Sequence, residues 1–369
     1  MRTTTAFVLL WSLISFANLF AQKEVICKNF GQFNDGLAPI LNDNKWGFID
    51  TEGNIVIQPV FRAYVSGFGE NPYFSEGLTP VIDAETEKVG YINKKGEMVI
   101  PYQYYSGDNF HEGVAFVGLQ NDYVIIDSIG NIIARKFIAI NGWHSKFSGG
   151  FAGASKNSAY GFIDKTGKFV IEPNFEEVRD FSNGFAAVKK DNKWGFIDTT
   201  GSITVPFQFT NEPKPFSNGR AFVQGANYTW GIIDTTGKLL VEPKYKQVFP
   251  FNGGAAIVSV MDNKFQETFY VIDPNGKVVK EFQKAKKYNE TITLLSGFTE
   301  GLAVAMKDSK KGFIDTKGKI VIDFKFRQLQ PFSDGLALAE LFDEKTKIVT
   351  KGFINNKGKM VIVIKAPQF

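Results

Sequence analysis

Short apolar runs of four to six residues, broken by polar and turn-forming residues, set the rhythm of this chain from residue 33 onward. The runs are rich in Val, Ile and Phe, and alternate within themselves, as in Trp194-Gly195-Phe196-Ile197-Asp198. That length and alternation predict β-strands rather than helices. Three runs form a unit: Phe-Ser-x-Gly-Leu-Ala-x-Val, then Lys-Trp-Gly-Phe-Ile-Asp-x-x-Gly, then x-x-Val-Ile-x-Pro-x-Phe. The link between the first two is polar, as in Lys189 to Lys193. The second link, Asp198-Thr199-Thr200-Gly201, has an Asp that can bond its own backbone and a Gly where φ must be positive. It predicts a type I turn with a glycine bulge. Each unit therefore reads as a three-stranded antiparallel meander.

The unit recurs nine times. Its turn glycines are Gly53, Gly96, Gly130, Gly167, Gly201, Gly237, Gly276, Gly318 and Gly358, at steps of 34 to 43 residues. A second marker, Phe33, Phe74, Phe110, Phe147, Phe181, Phe216, Phe251, Phe298 and Phe332, interleaves with them one to one. One meander of this size cannot bury a core alone. Stacked copies can, with the 37 Phe residues filling the joints. The fold expected is all-β: nine tandem three-stranded antiparallel meanders stacked as an open, solenoid-like array, with a closed β-propeller as the alternative. A fourth short strand is possible in segments such as Glu176 to Asp180. The Pro after the third strand (Pro59, Pro173, Pro243) is expected to end that strand or lie at an edge. The Gly beside the Trp is expected to admit a neighbouring unit's aromatic ring.

Outside the repeats, residues 1–22 begin Met1-Arg2, carry the apolar run from Ala6 to Phe20 and end near Ala21, the pattern of a secretory signal peptide. Export is therefore expected, to periplasm, cell surface or medium, with no membrane span after cleavage. Residues 23–32 resemble the third strand of a unit with its Pro lost, and read as a cap-like half repeat before the repeat domain of 33–369. Insertions interrupt the pattern at 62–73 and 281–297.

The segments Lys45-Trp46-Gly47-Phe48-Ile49-Asp50, the same six residues at 193–198 and the Phe-Ser-x-Gly-x-Ala stretches resemble the WG (KWG) repeat family of bacterial proteins. The resemblance covers residue 33 to about 365. It implies a β-rich interaction or surface protein and carries no catalytic motif. The Trp position reads Trp46, Val89, Tyr123, Tyr160, Trp194, Trp230, Phe269, Lys311, Lys351, so Val89, Lys311 and Lys351 depart from the family's pattern. Of these, Trp46, Tyr123, Tyr160, Trp194 and Trp230 are the candidate binding surface.

Nothing in the sequence points to catalysis. The recurring Asp of the turn (Asp50, Asp127, Asp164, Asp198, Asp234, Asp273, Asp315) is replaced by Asn93 and Asn355, which cap a turn but cannot act as acid or base. His111 and His144 make no zinc motif, no phosphate loop or nucleophile elbow is present, and no cofactor is expected. Cys27 is the single cysteine and reads as buried. A net charge of +4 from 42 basic and 38 acidic residues is too balanced for a nucleic-acid partner. The expected function is an exported, non-enzymatic protein with an extended surface for a protein or a cell-envelope glycan. The alternatives are a structural envelope component, or an enzyme or inhibitor with its site in the two insertions.

Overall fold

A computed structural model describes residues 22–63, 71–120, 122–135, 146–225, 227–282 and 291–367. The segment 1–21, which holds nearly all of the expected signal peptide, lies outside them, as do His144 and parts of both insertions. Strands and turns make up the described residues, with no helix among them.

The fifth repeat shows how sequence makes the unit. Its strands are Phe185–Lys190, Lys193–Asp198 and Ile203–Phe209. The first two pair antiparallel, with Ala186 opposite Ile197 and Val188 opposite Gly195. Asp191 and Asn192 join them with φ of 50° and 58°, the positive values a two-residue turn of type I′ requires and these side chains tolerate. The next turn is as the sequence predicts. Gly201 has φ of 83°, its amide donates to the Asp198 carbonyl, and Asp198 Oδ1 accepts from the amides of Thr200 and Ser202 and the Thr200 hydroxyl. The marker Phe181-Ser182 enters a second two-residue turn, Asn183-Gly184, closed by reciprocal bonds between the backbones of Ser182 and Phe185. The possible fourth strand is present in this repeat: Glu177–Val178 pairs with Lys189 and Val188. It comes from the tail of the fourth repeat and edges the sheet of the fifth.

The third strand departs from expectation in an informative way. Pro59 does not end its strand but lies inside Ile55–Ala63. Trp46 pairs with Phe61 and Phe48 with Ile57, so three residues of the third strand stand opposite the single Gly47. The missing N–H of Pro costs nothing in such a bulge. The same bulge occurs in repeats 2, 4, 5, 6 and 8. It also corrects the expected role of the glycine. The space beside Gly195 is taken by its own repeat: a Cβ there would sit 2.6 Å from the Val205 carbonyl oxygen, and one on Gly231 2.6 Å from that of Val241. No neighbouring ring enters. This bulge is absent from repeats 3, 7 and 9; repeats 3 and 7 replace the glycine by Val124 and Tyr270 with no Pro following, whereas repeat 9 keeps Gly352.

Repeats join through aromatic rings. All nine marker Phe residues are buried. Phe48 meets Phe74 of the next repeat at 4.7 Å between centroids, Phe162 meets Phe181 at 4.7 Å, Phe196 meets Phe216 at 4.6 Å and Phe313 meets Phe332 at 4.6 Å. Burial of such a ring is worth about 1.5–3 kcal/mol, and tilted or edge-on pairing adds roughly 0.5–1.5 kcal/mol.

The all-β array of nine meanders is thus present, and no single sheet closes into a barrel. Its two ends meet. Phe353 of the ninth repeat touches Phe33 of the first at 4.7 Å, the same contact that joins Phe48 to Phe74, Phe162 to Phe181, Phe196 to Phe216 and Phe313 to Phe332. The Gly36 amide donates to Asp334 Oδ2 at 2.8 Å across 298 positions of sequence. Lys23–Ile26 lies parallel to Met360–Lys365, and Asn29–Phe30 then pairs with the first repeat. These are the contacts of a ring, the alternative to the open stack. The half repeat is accordingly no cap over an exposed end: it bridges the last sheet to the first, with Val25 and Cys27 buried between them.

Candidate binding site

The Trp position opens the second strand of each repeat. Trp194 is 4% exposed, opposite Phe209, with the Arg179 guanidinium 4.7 Å from its ring. Arg179 is itself gripped by Glu212 at 2.6 and 2.8 Å and by Glu177 at 3.0 Å. Trp46, Tyr160 and Trp230 are half-buried, facing Phe61, Phe175 and Tyr245 across the strand pair. Tyr123 alone of the five candidates is exposed, at 51%. The slot serves packing: its rings cover the third strand where the bulge ends. Lys311 and Lys351 fill it by reaching Gln328 and Glu340.

The recurring carboxylates are spent on turns. Asp198 and Asp234 are held below the usual carboxylate range by the hydroxyls of Thr200 and Thr236, with backbone amides adding to the effect. His111 is pulled down by burial and by Lys146. Among the described residues no three His, Cys, Asp or Glu side chains gather where a metal ion could be held. Of the insertions, 64–70 and 283–290 lie outside the described residues.

The marker turns gather instead. Ser75, Ser148, Ser182 and Ser217 each donate a hydroxyl to the carbonyl of the next repeat's marker Phe: Phe110, Phe181, Phe216 and Phe251. This chain of bonds draws the turns into an inner circle. Within it lies a cavity of about 360 Å³, lined by residues of four consecutive repeats, the fifth to the eighth. Pro215, Pro250 and Pro331, each just before a marker Phe, supply much of its apolar wall, and Ser217, Asn252 and Thr299 supply polar groups. Thr299 stands where the bonding serines stand elsewhere, yet its Oγ1 is buried without a partner. No ionisable side chain lines the cavity. Such a wall can bind but holds no acid, base or nucleophile poised for chemistry.

Sequence reasoning placed the site on the Trp slots and missed this cavity. Pro before the marker Phe in repeats 6, 7 and 9 was the available signal. Its meaning depends on non-adjacent repeats facing one another, which only the ring provides.

A model of the WG-containing repeat matches residues 46–81, 90–123, 160–194, 194–224, 230–265 and 312–345, together more than half of the chain. The chain belongs to the WG-containing repeat family. The six matched WG repeats begin at repeats 1, 2, 4, 5, 6 and 8, the six whose third strand bulges over the glycine. A search of curated proteins gives no significant match. Among solved structures, BamB from Moraxella catarrhalis is similar at 12% identity and a TM-score of 0.38, over 90% of this chain and 99% of that one. Kluyveromyces lactis Hsv2p is similar at 9% identity and a TM-score of 0.39, over 89% and 97%. A quinonprotein alcohol dehydrogenase-like protein from Bacteroides thetaiotaomicron follows at 12% and 0.31, over 68% and 76%. At these scores the likenesses assign neither fold nor function to the WG-repeat chain.

Proposed function

We propose that this WG-repeat protein is an exported, non-enzymatic binding protein whose ring receives part of a partner protein at its inner circle of marker turns. The observation that carries this is the cavity shared by four repeats, with an uncharged, largely apolar wall. Shared walls suit binding because each repeat contributes one or two groups to a surface none could form alone. A protein partner is favoured over an envelope glycan because four of the five slot aromatics are packed against their own repeats. Among the described residues the slots therefore present no row of open rings to sugar faces. The leader-like segment 1–22 supports export.

The test uses the chain from Gln22 onward, immobilised, with an Asn252→Trp variant that fills the cavity from an exposed position. Cross-linked proteins from an envelope extract are compared on the two, alongside a glycan array. Retention of a protein by the native chain and its loss on the variant is expected. The same proteins on both surfaces, or glycan binding untouched by the variant, would overturn the reading.

A further inference from the structure

The marker turns carry a second pattern that exists only because the ends of the chain meet. The first turn residue is acidic in repeats 8, 9, 1, 2 and 3: Glu300, Asp334, Asp35, Glu76 and Glu112. In repeats 4 to 7 it is Gly149, Asn183, Asn218 and Gly253. Along the sequence the acidic positions fall into two groups at opposite ends. Around the ring they form one unbroken arc, and the other four form a neutral one.

Each acidic side chain accepts hydrogen bonds from the next turn's backbone. Glu300 holds the Gly335 amide at 3.2 Å, Asp334 holds Gly36 at 2.8 Å and Asp35 holds Gly77 at 2.6 Å. Glu76 takes the amides of Glu112 and Gly113, and Glu112 those of Gly149 and Gly150. These bonds fix the carboxylates in place without removing their charge. Lys94 pairs with Asp35, and Lys165 lies 3.8 Å from Glu112. Among the described residues no cationic side chain pairs with Glu76, Glu300 or Asp334. Glu300 directly follows Thr299, the cavity residue whose buried hydroxyl has no partner. The neutral cavity thus opens beside the start of a net-acidic arc.

Resting on the binding function above, we propose that this end of the ring docks a basic segment of the partner protein. An uncharged apolar tip enters the cavity, while flanking Lys or Arg side chains lie on the arc of Glu300, Asp334 and Glu76. Prepositioned like charges beside a neutral pocket select a partner by sign, and speed its encounter more than they tighten the complex.

The test is a fluorescence titration of the chain from Gln22 onward with a short labelled peptide bearing a Leu-Pro centre flanked by lysines, and with its glutamate-flanked counterpart. The lysine peptide is expected to bind and to weaken as salt is raised. The glutamate peptide is expected not to bind. Asn252→Trp should abolish binding, and the double variant Glu300→Gln, Asp334→Asn, which keeps an acceptor for each turn amide, should weaken it about tenfold. Thermal melting of the variants separates loss of binding from loss of fold. Equal binding of the two peptides, no binding of the lysine peptide, or full affinity in the still-folded double variant overturns the proposal. If those results appear while Asn252→Trp still loses its envelope protein, the binding function stands and only the basic character of the partner falls.

Discussion

At the scale of the residue, the glycine that gives the family its name is set by a collision avoided inside its own repeat. The third strand bulges by two residues opposite Gly195 and swings the Val205 carbonyl into the space a side chain would fill. Gly195→Ala must push that carbonyl away or break the bulge. It is expected to cost about 1–3 kcal/mol, the usual range for forced backbone strain, read as a lower midpoint in urea denaturation. The reverse change in a straight repeat, Val124→Gly, relieves no strain. It loses a fully buried side chain and adds backbone freedom, a cost of about 2–4 kcal/mol. Glycine is thus right in one repeat and wrong in another for a reason that lies on the neighbouring strand. The sequence shows the alternation that puts Gly195 on the face opposite Trp194. It does not show which neighbour comes close, because that depends on the path of the backbone around Pro206.

At the scale of the element, the Asp turn was the most legible feature, since every bond that defines it lies within five residues. Asp198 Oδ1 binds Thr200 twice and Ser202 once, and Asp234 does the same with Thr236 and Lys238. Both carboxylates are held below their ordinary range, first by the threonine hydroxyl and then by burial acting the other way and by amide bonds. A depressed carboxylate stabilises the fold above its unfolded pKa, and that contribution is lost as pH falls through the folded value. Thermal stability should therefore drop in the acid range, below the ordinary pKa of Asp near 4. Asp198→Asn together with Asp234→Asn should flatten part of that drop while leaving the neutral-pH melting temperature nearly unchanged. Asn93 and Asn355 already make the same amide contacts in their own turns. A steeper acid transition in the double variant would contradict this. The Trp slot was less legible. Its residue type suggested a surface, but strand pairing places Trp194 against Phe209 and under Arg179, and sequence spacing reveals neither partner.

At the scale of the whole molecule, closure is the property that local patterns could not reveal. Step lengths of 34 to 43 residues fit a stack as readily as a ring, and the decisive contacts join residues some 300 positions apart. Closure makes the last junction equivalent to the internal ones, and this equivalence is measurable. In an open stack Phe353 would face water at the end, and Phe353→Ala would cost little. In the ring it meets Phe33 at 4.7 Å, as Phe196 meets Phe216 at 4.6 Å, so Phe353→Ala and Phe196→Ala should each cost about 3–5 kcal/mol. Cys27 reports which junction has opened. It is 2% exposed in the seam, and burial pushes its thiol up to about 11. It should react slowly with a thiol reagent in the native protein. Phe353→Ala should speed that reaction under native conditions, whereas Phe196→Ala, equally destabilising overall, should speed it far less. The pH dependence has a fixed sign. A thiol whose folded pKa is raised favours the closed seam fully below its ordinary pKa, and this contribution is lost as pH rises through about 11. Seam opening, followed as labelling after correction for the reagent's own thiolate dependence, should therefore grow on the alkaline side in the native chain. Equal labelling of the two Phe variants would mean that the last repeat and the first do not hold each other, and the acidic arc would then be two separate patches.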